Sequence, residues 1–112
     1  MSIKNVTVVD TASKYIVKST GIGSETDEEL VDAEELTGGT DGSKVSLIEC
    51  YHLIEGTGTL TISTGSEDLT LTGKGKYGLR PGQLKFGNDK QFKLTTDESV
   101  DSYLLVTEFR RN

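Results

Sequence analysis

The chain has 112 residues, a formal net charge of −6, 33% hydrophobic residues, 13 glycines, one proline and no tryptophan. That length gives one domain, 1–112, with little core to spare, and the acidity argues against nucleic acid as the main partner, because phosphate is held by Lys and Arg. No charged-then-apolar leader and no apolar stretch near the roughly 18 residues of a membrane span occur, which argues against a signal peptide and a membrane helix.

Abundant glycine and threonine with so few apolar residues favour short strands joined by glycine turns. A core this thin gains from stacking on a copy of itself or on another protein. Residues 1–10, MSIKNVTVVD, end as a strand-like VTVV and predict an N-terminal arm or edge strand able to add itself to a neighbour's sheet. The sequon Asn5-Val6-Thr7 has no meaning without secretion. A second strand is predicted at Lys14 to Thr20, and Gly21-Ile22-Gly23-Ser24 breaks it. From Glu25 to Glu35 there are seven acidic residues and no basic one. The reading here is a loop, a brief strand at Leu30-Val31, and one helical turn at Asp32 to Leu36 closed by Gly38-Gly39.

Val45 to Ile54, VSLIECYHLI, is the longest apolar-rich run and predicts a central strand buried on both faces. Val45, Leu47, Glu49, Tyr51 and Leu53 alternate with Ser46, Ile48, Cys50, His52 and Ile54. Gly56-Thr57-Gly58 turns the chain into a half-buried strand at Thr59 to Thr64, and Leu69 to Leu71 follows. Gly73 to Gly78 is expected as a hairpin or bulged connection, and Pro81-Gly82 as a type II turn. Further strands are predicted at Gln83 to Phe86, Gln91 to Thr95 and Ser102 to Phe109, the last beside the central strand because only it has comparable apolar surface. About eight strands at ten-residue spacing predict an all-β single domain, a β-sandwich or jelly roll.

The candidate chemistry is sparse. His52 is the only histidine and Cys50 the only cysteine, so no disulfide and no clustered metal site is expected. The two share one strand face, which makes a nucleophile pair conceivable, but their apolar neighbours favour core packing. Gly73-Lys74-Gly75-Lys76-Tyr77-Gly78 fits neither phosphate-loop fingerprint. No catalytic residue, metal or cofactor is assigned. Charge is segregated: Glu25 to Asp41 holds eight acidic residues and no basic one, whereas Lys74 to Lys93 holds six basic residues against Asp89 alone. Two solvated loops are one reading; complementary surfaces between copies or on a larger assembly are the other.

Tyr51 to Thr61, YHLIEGTGTLT, with Leu71-Thr72-Gly73 and Leu79-Arg80-Pro81-Gly82, resembles the turns and strands of a cupin barrel, though one histidine cannot fill that family's metal set. Over nearly the whole length the chain resembles small structural proteins of tailed bacteriophages, of the marine and cyanobacterial kind. The resemblance rests on Thr11-Ala12-Ser13-Lys14-Tyr15-Ile16-Val17-Lys18, on Leu30-Val31-Asp32-Ala33 with Leu36-Thr37-Gly38-Gly39, on 75–83, GKYGLRPGQ, and on 103–110, YLLVTEFR. It implies a non-enzymatic virion component made in the host cytoplasm, a capsid decoration or cement protein bound to the major capsid protein or another virion protein. A homo-oligomer, with a trimer as the leading form, goes with that reading. The expected contact residues are Ile3, Val6 and Val8 in the N-terminal segment, Glu28, Glu29, Glu34 and Glu35 in the acidic one, and Lys74, Lys76, Arg80 and Lys85 in the basic one. A tail or head–tail connector component, a jelly-roll ligand-binding module and an enzyme using Cys50 and His52 are the alternatives.

Overall fold

The computed structural model describes residues 4–11, 13–22, 24–36, 38–40, 42–65, 67–78 and 86–111. Among them, ten strands build two antiparallel sheets: β1 Lys4–Asp10, β2 Lys14–Ile22, β3 Glu28–Asp32, β4 Val45–Gly56, β5 Leu60–Ser63, β6 Asp68–Leu71, β7 Lys74–Gly78, β8 Phe86–Asp89, β9 Gln91–Thr96 and β10 Val100–Arg111. The larger sheet has the order β1-β2-β10-β4-β7, with β8 also on β4, and the smaller has the order β3-β9-β5-β6.

The pairing is nested. β5 pairs with β6, β4 with β7, β3 with β9 and β2 with β10, so the chain doubles back on itself as one long ribbon. Cross-pairs β4·β10 and β5·β9 roll that ribbon into two sheets. This is the topology of a jelly roll, as the strand spacing predicts.

Alternation supplies the core. In β9, Phe92, Leu94 and Thr96 are buried between half-exposed neighbours, and in β10 so are Tyr103, Leu105, Thr107 and Phe109. Phe92 of the smaller sheet meets Phe109 of the larger edge-on, with ring centroids 4.9 Å apart. Such a pair adds about 0.5–1.5 kcal/mol beyond its buried area. β10 lies beside β4, as expected, over eleven paired positions from Val100 to Arg111.

β4 departs from the expected simple alternation. Leu47 stands opposite Phe109 and Glu49 opposite Glu108, so Ile48 is an extra residue in the ladder. This bulge shifts the inward set from Val45 and Leu47 to Cys50 and Ile54. The expectation that both faces are buried holds only for the first part of the strand; beyond the bulge Tyr51 and Leu53 are 54% and 38% exposed.

Two other expectations are refined. The Lys74–Gly78 segment is itself an edge strand of the larger sheet rather than a connection, entered through Gly73 at φ +60°. The acidic segment gives strand β3 and a 3-10 turn at Ala33–Glu35, whose first turn is capped by Asp32 accepting from the Glu34 N–H at 3.0 Å. The expected Pro81-Gly82 turn and nearly all of the Gln83–Phe86 strand lie outside the described residues.

Candidate functional site

The outer face of the larger sheet carries the most unusual surface. Cross-strand partners point the same way, so the register maps it row by row. One row reads Lys4, Thr20, Leu104, Leu53, Lys74, and the next Val6, Lys18, Val106, Tyr51, Lys76. Beyond them lie Ile22, Ser102 and Glu55 on one side, and Val9, Ile16, Glu108 and Glu49 on the other. Leu104, Leu53, Val106 and Tyr51 thus form an apolar centre with lysines at both flanks. Ile22, on the same face, is 60% exposed.

Between β4, β7 and β10 this face sinks into a groove of about 400 Å³. Its apolar walls are Tyr51, Leu53 and Leu104, its rim is Lys74 and Lys76, and the His52–Gly75 ladder pair lies between them. Lys76 Nζ is 3.2 Å from the Glu49 carboxylate and 5.2 Å from the centre of the Tyr51 ring. Glu49 holds the Lys76 ammonium above its ordinary pKa, chiefly through that hydrogen bond. No ion pair engages Lys74 among the described residues.

The residues expected at interfaces fall in three places. Val6 and Val8 are exposed on β1, an edge strand whose second side has no strand neighbour among the described residues. Glu28 and Glu29 are on β3, and Glu34 and Glu35 in the 3-10 turn. Part of their charge is answered within the chain: Glu34 lies 3.6 Å from Lys90 Nζ, and Glu29 accepts from Gln91 Nε2 at 2.9 Å. Lys74 and Lys76 are on the other sheet, at the groove. Ile3, Arg80 and Lys85 lie outside the described residues.

Sequence reasoning missed Leu53, Leu104 and Val106 as surface residues because it placed them in the core. The β4 bulge is what turns Leu53 out. His52 and Cys50 do share the inward face, as expected. The Nδ1 of His52 is 3.1 Å from the Gly73 carbonyl, and its ring lies over Gly75, whose missing side chain makes room for it. Cys50 is fully buried, and burial pushes its thiol up to about 11. A protonated, enclosed thiol is a poor nucleophile.

Glu29, Asp32 and Glu35 bring carboxylate oxygens within 4.8 Å of one another. Two of the three are already engaged, Glu29 by Gln91 and Asp32 by the Glu34 N–H. No family model and no curated protein sequence matches the chain. Among solved structures it is similar to a cupin domain from Bordetella pertussis Tohama I, at 13% identity over 99% of this chain and 94% of that one, with a TM-score of 0.45. The fold assignment therefore rests on the strand pairing itself.

Proposed function

We propose that this protein is a non-enzymatic docking protein, and that its partner surface is a phage capsid, where it acts as a decoration or cement protein bracing neighbouring subunits. The observation that carries docking is the exposed apolar centre on the outer face of the larger sheet, set between lysines. An acidic chain gains solubility from its charge, so a basic, apolar-centred face is better explained by a partner than by solvent. The capsid setting comes from the resemblance of the chain to small phage structural proteins. Copies would meet through β1, whose second side, without a strand neighbour among the described residues, can add to a neighbour's sheet. Many weak attachments around a shell sum to a large total.

Co-sedimentation with phage heads lacking the protein tests this reading. Saturable, stoichiometric binding that weakens with salt supports it; no binding to heads at any salt concentration overturns it. The ligand-binding module is the second reading, favoured by the 400 Å³ groove.

A further inference from the structure

We infer that the groove between β4, β7 and β10 receives an acidic segment of a partner protein, one apolar side chain seated between Tyr51, Leu53 and Leu104 and its carboxylates on Lys74 and the lysines across the sheet. The inference rests on the docking reading and names the chemistry of the occupant.

Charge selects the partner. The described rows of this face carry Lys4, Lys14, Lys18, Lys74, Lys76 and Arg110 against Glu49, Glu55 and Glu108. This twofold excess of base stands on a chain whose net charge is −6. One of the acids, Glu49, is taken up by Lys76. Lys74 remains at the rim with an exposed ammonium, next to walls that offer no carboxylate. An anion bound there meets an unanswered charge, and an apolar group beside it removes Tyr51, Leu53 and Leu104 from water.

A second copy is a poor occupant. In a two-fold contact the same patch faces itself. With the axis along the strands, Lys74 and Lys76 come against Lys4 and Lys18. With the axis across them, Lys74 meets Lys76 and Glu55 meets Glu49. Either arrangement opposes like charges. A head-to-tail contact with the chain's own acidic segment fails for a different reason: Leu30, Val31 and Ala33 are buried and the partly buried Leu36 packs against the core, so the segment projects no free apolar anchor. A nucleic acid would satisfy the lysines but not the apolar walls. What fits both is a foreign acidic strand or loop with an aliphatic or aromatic residue among its carboxylates.

The test is a titration of the isotope-labelled full chain with an amidated peptide of alternating glutamate and leucine, followed by amide chemical shifts. Two control peptides replace glutamate by lysine or leucine by serine. The expected result is saturable movement at Tyr51, Leu53, Lys74 and Leu104, with each control bound at least tenfold more weakly. Leu104→Ser and Lys74→Glu should each weaken the peptide severalfold, while circular dichroism and the unfolding midpoint stay close to the parent's, because Lys74 is exposed and Leu104 is half-buried on the outer face, outside the core between the sheets. Equal binding of the lysine–leucine or the glutamate–serine peptide overturns the inference. So do movements confined to β1, movements produced only by phosphatidylglycerol vesicles, and self-association that Leu104→Ser abolishes. Peptide bound in the groove with no attachment to heads would remove the capsid reading and leave the groove assignment standing; attachment to heads unaffected by Leu104→Ser would do the reverse.

Discussion

The Tyr103 phenol donates a 2.7 Å hydrogen bond to Oε2 of Glu25, and both residues are almost fully buried. The other carboxyl oxygen, Oε1, is enclosed with no hydrogen-bond partner among the described residues. Among the described residues Tyr103 is thus the one side-chain donor to this carboxyl group, and Glu25 is held in place by its backbone: its N–H donates to Thr96 Oγ1 at 2.8 Å and its carbonyl accepts from the Thr96 N–H at 3.0 Å. Burial first, then the Glu25 hydrogen bond, raises the phenol pKa far above the ordinary value. Tyr103→Phe leaves the carboxyl group with neither oxygen partnered, a loss of about 1–3 kcal/mol of stability. Urea unfolding measures it, and an unchanged midpoint would refute the pairing.

Cys50 gives the fold an alkaline limit. Its thiol is raised from 9.0 to about 11, first by desolvation, with the Tyr77 N–H acting the other way and the Glu49 charge adding to the rise. The folded state keeps a proton that the unfolded state releases above its own pKa, so stability falls as pH rises. The contribution is fully present below about pH 9 and is lost as pH climbs toward 11. By linkage the loss is at most roughly 3 kcal/mol for a shift of this size. Urea unfolding on both sides of this window, in the parent and in Cys50→Ala, should show a steeper alkaline decline in the parent. Parallel pH curves would contradict the enclosed thiol, as would fast labelling of the native protein by a thiol reagent at neutral pH.

The jelly roll was legible because it depends on alternation and on turn residues, both local. VSLIECYHLI, TLTIST and SYLLVTEF each announce a strand, and Asp32 with Gly38 marks the short turn after β3. The surface was not legible, because it depends on which way one strand faces after one extra residue. Nothing in the composition of Leu47-Ile48-Glu49 says that Ile48 bulges; that is decided by how β4 registers against β10. The lysine pair at Lys74 and Lys76 was visible, but its neighbours were not. Leu104, thirty residues away, joins it only through β4.

Gly56 closes β4 in a conformation that only glycine adopts without strain, at φ +102°. A side chain there would also collide with the Ser99 carbonyl, 2.4 Å from where its Cβ would sit. That carbonyl accepts from the N–H groups of Thr57 and Gly58, so it cannot move without breaking the turn to β10. Gly56→Ala should therefore destabilise the protein by more than about 1 kcal/mol. Gly42→Ala is the control: it shares the positive φ, at +86°, but meets no atom within 4 Å. A smaller loss at Gly42 than at Gly56 separates collision from backbone strain, and equal losses would mean that the Ser99 contact carries no weight.

Removal of residues 2–10 separates the two proposed contacts, since β1 and the groove lie on opposite margins of the same sheet. Among the described residues β1 pairs with β2 alone, and it is mostly exposed, so the rest of the sandwich does not need it to close. Beyond its ladder with β2, its side-chain ties include Asn5, which accepts from Ser19 Oγ at 2.6 Å and donates to the Glu29 carbonyl at 2.8 Å, the Thr7 and Tyr15 hydroxyls 3.1 Å apart, and Asp10 paired with Arg111 at 3.5 Å. Losing them should lower stability by roughly 1–3 kcal/mol while the strand signal in circular dichroism persists. The deletion should abolish attachment to phage heads, because copies would no longer join edge to edge, yet leave the glutamate–leucine peptide bound at Leu53 and Leu104. Full attachment by a folded deletion variant would remove β1 from the mechanism. Loss of the peptide as well would mean that the outer face is shaped by β1, and that the two contacts are one.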